Sequence, residues 1–430
     1  MPKAAIIFLA RCTQIDSFQA RLLRKSFLPF AGISMLVKRR FFTLTVRTED
    51  KVRSRTEMSP LSRAKRLVNE LVADLHLDLS GMVVLTEAAS GNYVFTPLIA
   101  AVANAKKVIA VTRDSGYGKA KDVTENTLCL AKYFDIEKKR IKIASNLTPE
   151  IIGEADIVTN LGFLRPLDKQ FISSLKKTAA ISLMYETWEF REEDLDLREC
   201  WRRGIPVLGT NEEHSALRIF DYIGHLCLKV LFEAEIEVFR SKILLIGDNR
   251  FSRNMVKTLT AVGAAVYWMA SARTEEVKQL GGTKISSDLE EPETQNSIRD
   301  CDAVIVNTYP NPNAAIGERG MISTTRLKEL TPGTTIIQFN GYVERESLKK
   351  WAFAYLPKEE PRIGHMGWTL AHLGPKPVIA LNGGGLKVGE VLARARLKGL
   401  DRVEAEREAL KNSICQNFSP DQRREHEVYS

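Results

Sequence analysis

Between Lys242 and Met269 the chain runs KILLIGDNRFSRNMVKTLTAVGAAVYWM, and this order leaves few folds open. Lys242 to Ile246 is an apolar, β-rich run, Gly247 permits a tight turn, and Asn254 to Leu259 lies in a helix returning to a second strand at Val266 and Tyr267. Strand, glycine turn, helix and strand open a dinucleotide-binding unit. The fingerprint is incomplete. Of the G-x-G-x-x-G pattern only Gly247 is present, with Asn249 and Ser252 at the second and third positions. A Cβ at the second position crowds a pyrophosphate resting on the N–H groups of a helix N-terminus. Asn is the least costly substitute because it tolerates left-handed dihedrals.

An acid that would hold the ribose hydroxyls normally follows the second strand, but Met269, Ala270, Ser271, Ala272 and Arg273 stand there. Ser271 and Arg273 suit a 2′-phosphate instead, so the reading allows NAD or NADP with a lean to NADP. A surface arginine on a loop explains Arg273 equally well.

The pattern before this unit also alternates. Helices are expected at Leu61 to Leu75, Thr96 to Asn104, Asp122 to Phe134, Pro149 to Ala155, Lys169 to Leu175 and Leu195 to Arg203. Strands are expected at Met82 to Thr86, Lys107 to Thr112, Ile141 to Ala144, Asp156 to Asn160, Ala179 to Met184 and Pro206 to Leu208. Short apolar strands separated by helices imply a parallel sheet covered on both faces. The fold class is therefore α/β, with two domains each built on a parallel sheet with helices on both faces, the second a Rossmann domain.

The boundaries read as 58–235 for a flavodoxin-like substrate domain and 236–375 for the NAD(P)-binding domain. Residues 376–430 then form a C-terminal helix packing back on the first domain, followed by a polar, solvated tail from Phe418. A long amphipathic helix from His214 to Glu237 bridges the domains. The Rossmann domain continues with a strand at Asp302 to Asn307, a polar turn from Tyr309 to Asn313, a helix at Ser323 to Leu330 and a strand at Thr334 to Phe339. Asn382-Gly-Gly-Gly385 reads as a hinge between strand and helix, or as a loop offering N–H groups to an anion.

The net charge of +9 is concentrated at one end. Residues 1–57 hold twelve Lys/Arg against four Asp/Glu, leaving the other 373 residues near neutral. No basic face remains for nucleic acid. That segment is either a targeting leader or a start assigned too early, with Met58 as initiator. Its apolar runs are too short to span a membrane. Six widely spaced cysteines form no C-x-x-C pair, which argues against a disulfide framework or a metal site and suits the cytoplasm.

By order and spacing, from Val83 to Gly367, the chain resembles the D-isomer-specific 2-hydroxyacid dehydrogenases (formate/glycerate dehydrogenase-like) and, more distantly, S-adenosylhomocysteine hydrolase. Asp196 to Val207 looks like the family's helix and strand before the cofactor domain. Ile316 to Gly341 is similar to its substrate-contacting loop, helix and strand. The resemblance implies a small-molecule substrate and possible homodimers. It implies Gly247, Asn249 and Ser252 along the cofactor, with Asn307, Thr308 and Tyr309 on the nicotinamide side.

The family's carboxylate-binding Arg is replaced by Asn340, ahead of Gly341, and an uncharged amide cannot form a bidentate clamp. The resemblance places the catalytic His at His365 and its acid partner at Glu359 or Glu360. Arg113, Arg165, Glu186 and Glu189 follow strands on the ligand-binding edge of the first sheet and are candidate substrate contacts. For Glu186 and Glu189 a salt-bridged domain contact is an equally open reading. Hydride transfer on a small hydroxy or keto substrate is one outcome. Hydrolase or lyase chemistry with internally cycled NAD is another, and a non-catalytic nucleotide-binding or regulatory protein is a third.

Overall fold

The structure is a computed structural model and describes residues 55–309, 311, 313–361 and 365–427. Most of the expected leader, residues 1–54, lies outside the described residues, as do Pro310 and Pro312 of the polar turn and Gly364 beside His365. Two large sheets organise the rest.

The first sheet has strands β1 (Val83–Glu87), β2 (Lys107–Val111), β3 (Ile141–Ala144), β4 (Ile157–Thr159), β5 (Ala180–Ser182) and β6 (Val207–Thr210), in the spatial order 6-5-4-1-2-3, all parallel. The second has β7 (Lys242–Ile246), β8 (Ala265–Met269), β9 (Thr283–Ile285), β10 (Ala303–Asn307), β13 (Thr335–Asn340) and β15 (Ala354–Leu356), in the order 15-13-10-7-8-9, also parallel. A small parallel sheet joins β11 (Ala314–Gly317), β12 (Ile322–Ser323) and β14 (Tyr342–Val343).

Both large sheets follow the order 3-2-1-4-5-6 of a doubly wound dinucleotide fold, and the first therefore departs from the 2-1-3-4-5 order of a flavodoxin-like sheet. The sequence pattern locates strands but not their neighbours. Alternate residues divide between two apolar layers. Val84, Val108 and Ala180 face one side of the first sheet and Leu85, Ile109 and Ile181 the other, while Ile243 and Leu245 oppose Leu244 and Ile246 in the second. Burial on both faces explains the near-continuous apolar runs.

Three expectations are corrected. The helix expected from His214 spans only Asp221–Glu233. Leu217 and Arg218 both donate to the His214 carbonyl, Arg218 has φ 48°, and Ile219 turns back to Glu212, so the chain turns before the helix can start.

Asn382-Gly-Gly-Gly385 is neither hinge nor anion loop. It lies inside a helix spanning Pro375–Leu397. Its glycines are buried, and a Cβ added there would meet Leu71 at Gly383, Leu217 at 2.5 Å from Gly384, and Met184 at Gly385. One turn on, a Cβ at Gly389 would meet Ile157 at 2.5 Å. The helix thus seats its bare backbone on the first sheet, and its N–H groups are used within the helix.

The segment from Phe418, read as a solvated tail, packs on the first domain directly after a short strand that joins the first sheet. β16 (Cys415–Gln416) pairs antiparallel with β6, and Phe418 is buried edge-on against Phe190 and Trp201. A helix over Pro420–Glu427 follows and buries His426. Among the described residues no helix is long and apolar enough to cross a membrane.

Gly385→Val forces a branched side chain into the Met184 contact. It is expected to lower the unfolding free energy by roughly 1–3 kcal/mol, read as a shift in the denaturant midpoint at unchanged slope.

Candidate functional site

The strand order of the second sheet reverses between β7 and β10, where doubly wound folds take their ligands. Gly247 has φ 131°, and a Cβ there would run into the Asn307 carbonyl, so only glycine lets β7 turn beside β10. The buried Trp268 indole donates to the Gly247 carbonyl at 2.7 Å and fixes the turn from below.

Asn249 caps the helix Arg250–Ala261, its Oδ1 accepting from the Phe251 N–H at 3.1 Å. Its Nδ2 crosses the crevice to the Asn307 carbonyl and Oδ1, both at 3.1 Å, and to the Tyr309 carbonyl at 3.3 Å. Asn307 Nδ2 returns a bond to Asn249 Oδ1 at 2.6 Å and donates to Ser252 Oγ at 2.9 Å. Asn307 and Ser252 are fully buried. Four residues proposed along the cofactor, Asn249, Ser252, Asn307 and Tyr309, are therefore joined to one another.

Thr308 is held through its N–H by the Asn340 carbonyl at 3.1 Å, while its buried hydroxyl has no protein partner among the described residues. Asn340 is buried, with Oδ1 on the Gly341 N–H at 2.9 Å. His365 is exposed near the end of β13, where Gly367 N–H donates to the Phe339 carbonyl. Glu360 is exposed, and its charge acts on Arg345.

Arg345, five positions past Asn340, does not replace the missing clamp. Its buried guanidinium lies over the Tyr355 ring and donates to the Pro357 carbonyl and Gln338 Oε1.

The sequence also missed Asp248. Its carboxylate accepts from the Ser271 N–H at 3.1 Å and from the Ser271 hydroxyl. An acid thus reaches the end of β8 from the glycine turn rather than from β8 itself. Arg273 is exposed just beyond, at the start of the helix Thr274–Gln279.

The loops after β5 and β6 of the first sheet approach this turn. Glu186, fully buried, accepts from Trp188 Nε1 at 2.7 Å, from the Glu212 N–H at 3.3 Å and from Arg250 Nη1 at 2.5 Å. Arg250 also pairs with Glu213 at 2.9 Å and lies over the Phe220 ring. The Trp188 ring is 6.2 Å from Phe251 and 6.3 Å from Tyr309. The first turn of the Rossmann helix is thereby tied to the edge of the other sheet.

Burial pushes the Glu189 carboxyl up to about 7, with the charge of Glu186 adding to it. Burial, then Glu189 and Glu186, drives Glu212 well above the usual carboxylate range. Glu212 and Arg250 were not singled out from sequence. The available signals were Asn211-Glu-Glu213 directly after β6 and the cation inside the glycine turn itself.

Arg113 and Arg165 serve the loop after β4. Arg113 Nη2 donates to the Phe163 carbonyl at 2.7 Å, and Arg165 binds the Asn160 carbonyl at 2.5 Å and Asp194 at 3.0 Å. Buried Glu87 accepts the Phe163 N–H at 2.9 Å, and burial raises its pKa. A recess of about 310 Å³ between Arg113, Leu147, Phe163, Arg165 and Phe171 lies beside this loop and borders neither Glu186 nor Asn249. Among the described residues no group of three or more His, Cys, Asp or Glu could hold a metal ion.

No family model matches the sequence, and no curated protein matches it. Solved structures do resemble it. Dipicolinate synthase, A chain, from Bacillus subtilis is similar at 12% identity and TM-score 0.48, over 75% of this chain and 99% of that one. D-isomer specific 2-hydroxyacid dehydrogenase from Lactobacillus delbrueckii ssp. bulgaricus, in its NAD complexed form, is similar at 15% identity and TM-score 0.40, over 74% and 97%. Transhydrogenase from Sinorhizobium meliloti is similar at 12% identity and TM-score 0.40, over 74% and 96%.

The buried carboxyls make stability depend on pH. Glu189 titrates near 7 in the folded chain against an ordinary 4.5, so the folded state holds its proton more tightly. That contribution is complete below about 4.5 and is lost as pH rises through about 7. The thermal midpoint is expected to fall between about pH 5 and about pH 8, and Glu189→Gln with Glu212→Gln is expected to flatten that fall. An unchanged slope in the double variant would refute this assignment.

Proposed function

We propose that the chain is an NAD-binding oxidoreductase-like protein acting on a small hydroxy or keto substrate between the C-terminal edges of its two large sheets. The observation that carries this reading is Asp248. At the end of β8 a carboxylate bonded to Ser271 is placed as a ribose-reading acid is in dinucleotide folds. A 2′-phosphate there would meet a like charge, so Asp248 favours NAD and reverses the lean to NADP drawn from Ser271 and Arg273. His365 is proposed to exchange a proton with the substrate and Asn340 to orient it, with Glu360 as a neighbouring acid. Glu186 and Glu189 are proposed on the substrate side, whereas Arg113 and Arg165 are better read as supports of their loop.

The ribose end fits the cofactor. The pyrophosphate end does not fit as the residues stand, because Asn249 holds the Phe251 N–H and bridges to Asn307 and Tyr309. The same bridge, with Asn340 in place of an arginine, favours a second reading, a non-catalytic nucleotide-binding or regulatory protein. A homodimer is proposed on the resemblance alone. A cytoplasmic location is supported by the buried, unpaired Cys200, Cys227, Cys301 and Cys415.

Calorimetric titration of the full chain tests both readings. NADH is expected to bind at micromolar Kd and NADPH about tenfold more weakly, a gap of about 1.4 kcal/mol that Asp248→Asn should narrow. Binding of NADH without turnover of any hydroxy or keto acid would select the non-catalytic reading, and binding of neither nucleotide would reject the cofactor.

A further inference from the structure

The amide of Asn249 does more than cap a helix. A capping side chain needs only its oxygen on an N–H of the first turn, and Oδ1 does this on Phe251. Nδ2 is nonetheless directed away from the helix, across the strand-order reversal, to three oxygens on Asn307 and Tyr309. The Asn307 amide is locked in turn by Ser252, so the bridge ends in a fully buried group rather than a mobile one.

In dinucleotide folds this crevice, at the N-terminus of the first helix, receives the pyrophosphate. We infer that the Asn249 amide is an internal occupant of the pyrophosphate position, a plug that must turn out of the crevice before a dinucleotide can bind. The inference rests on the proposal that this edge takes a dinucleotide.

One further feature keeps the crevice suited to a ligand. The amide is uncharged. It satisfies one N–H of a 12-residue helix but sets no charge of its own against the positive end of the helix dipole. An anionic diphosphate would do both, so it can compete with the plug. Displacement leaves the carbonyls of Asn307 and Tyr309 without this donor, which is a cost the incoming ligand must meet. Asn249 therefore sets the affinity of the site for ligands that carry a diphosphate and leaves their adenosine end unaffected.

The test compares the full-length protein with Asn249→Ser and Asn249→Gly. Ser keeps a capping oxygen and removes the crossing amide, so the Ser variant carries the test if Gly unfolds the helix. Each protein is titrated calorimetrically with NADH, ADP-ribose and adenosine, and thermal unfolding confirms the fold. The variants are expected to bind NADH and ADP-ribose about tenfold more tightly than the parent, the scale of one or two net hydrogen bonds. Adenosine, which lacks the diphosphate, should bind all three equally. Equal affinity of parent and variants for NADH overturns the plug and leaves the dinucleotide reading standing. An equal gain for adenosine also overturns it, because the effect would not lie at the diphosphate. No binding of any probe to any folded variant overturns the plug and the dinucleotide reading together.

Discussion

The contact on which the rest of the structure depends is the seat of the helix Pro375–Leu397 on the first sheet. Four glycines, Gly383, Gly384, Gly385 and Gly389, remove the side chains that would hold the helix off Leu71, Leu217, Met184 and Ile157. Glycine costs a helix interior roughly 1 kcal/mol per residue relative to alanine, so such a row persists only where close packing returns more. The return here is burial of Ile379, Leu386, Val388 and Leu392 in one apolar layer of the first sheet. Asn382 adds a buried bond to Thr96 at 2.8 Å, and Glu390 receives Arg394, Lys387 and the Asp78 N–H. The first sheet is therefore completed by residues that follow the second in sequence. The chain crosses between the sheets twice, and the crossings are joined where His372 meets Glu233 at 2.9 Å.

Tethered in this way, the two ligand edges acquire opposite characters. On the second sheet the amides of Asn249 and Asn307 satisfy one another and close the crevice without charge. On the first, carboxylates gather around the guanidinium of Arg250. Arg250 reaches Glu186 and Glu213, which makes a buried charge at Glu186 tolerable. Among the described residues Glu189 and Glu212 form no ion pair, and burial outweighs the nearby Arg191, Arg165 and Arg250 to favour their protonated forms. Arg250 belongs to the first turn of the Rossmann helix, so rearrangement at that helix end is coupled to the charge balance of the other edge.

Much of the scaffold was legible because it follows from local periodicity. The strand Lys242–Ile246, the turn at Gly247 and the helix behind it lie where the residues from 242 to 269 imply, and Ile141–Ala144 coincides with its expected span. β9, β15 and β16 carry two or three residues each and were not anticipated. The candidate site was legible only as loops on the right edge. Asp248 was passed over because the ribose-reading acid is sought after the second strand, and nothing local shows a turn residue folding across to Ser271. Arg113 and Arg165 resembled ligand contacts because their bonds to Phe163 and Asn160 become visible only once the loop is folded.

The sequence by itself determined an α/β chain with a damaged dinucleotide turn, because apolar period and glycine position act over a few residues. Tertiary structure decided what the exceptions mean. A glycine cluster is a hinge, a phosphate loop or a packing face according to what lies beside it, and only Leu71, Leu217, Met184 and Ile157 identify it as a packing face. An asparagine in place of a glycine either leaves a crevice open or fills it, and the carbonyls of Asn307 and Tyr309, 58 and 60 residues away, decide that Asn249 fills it. Such outcomes depend on contacts between distant segments, and these exist only when the sheets are assembled.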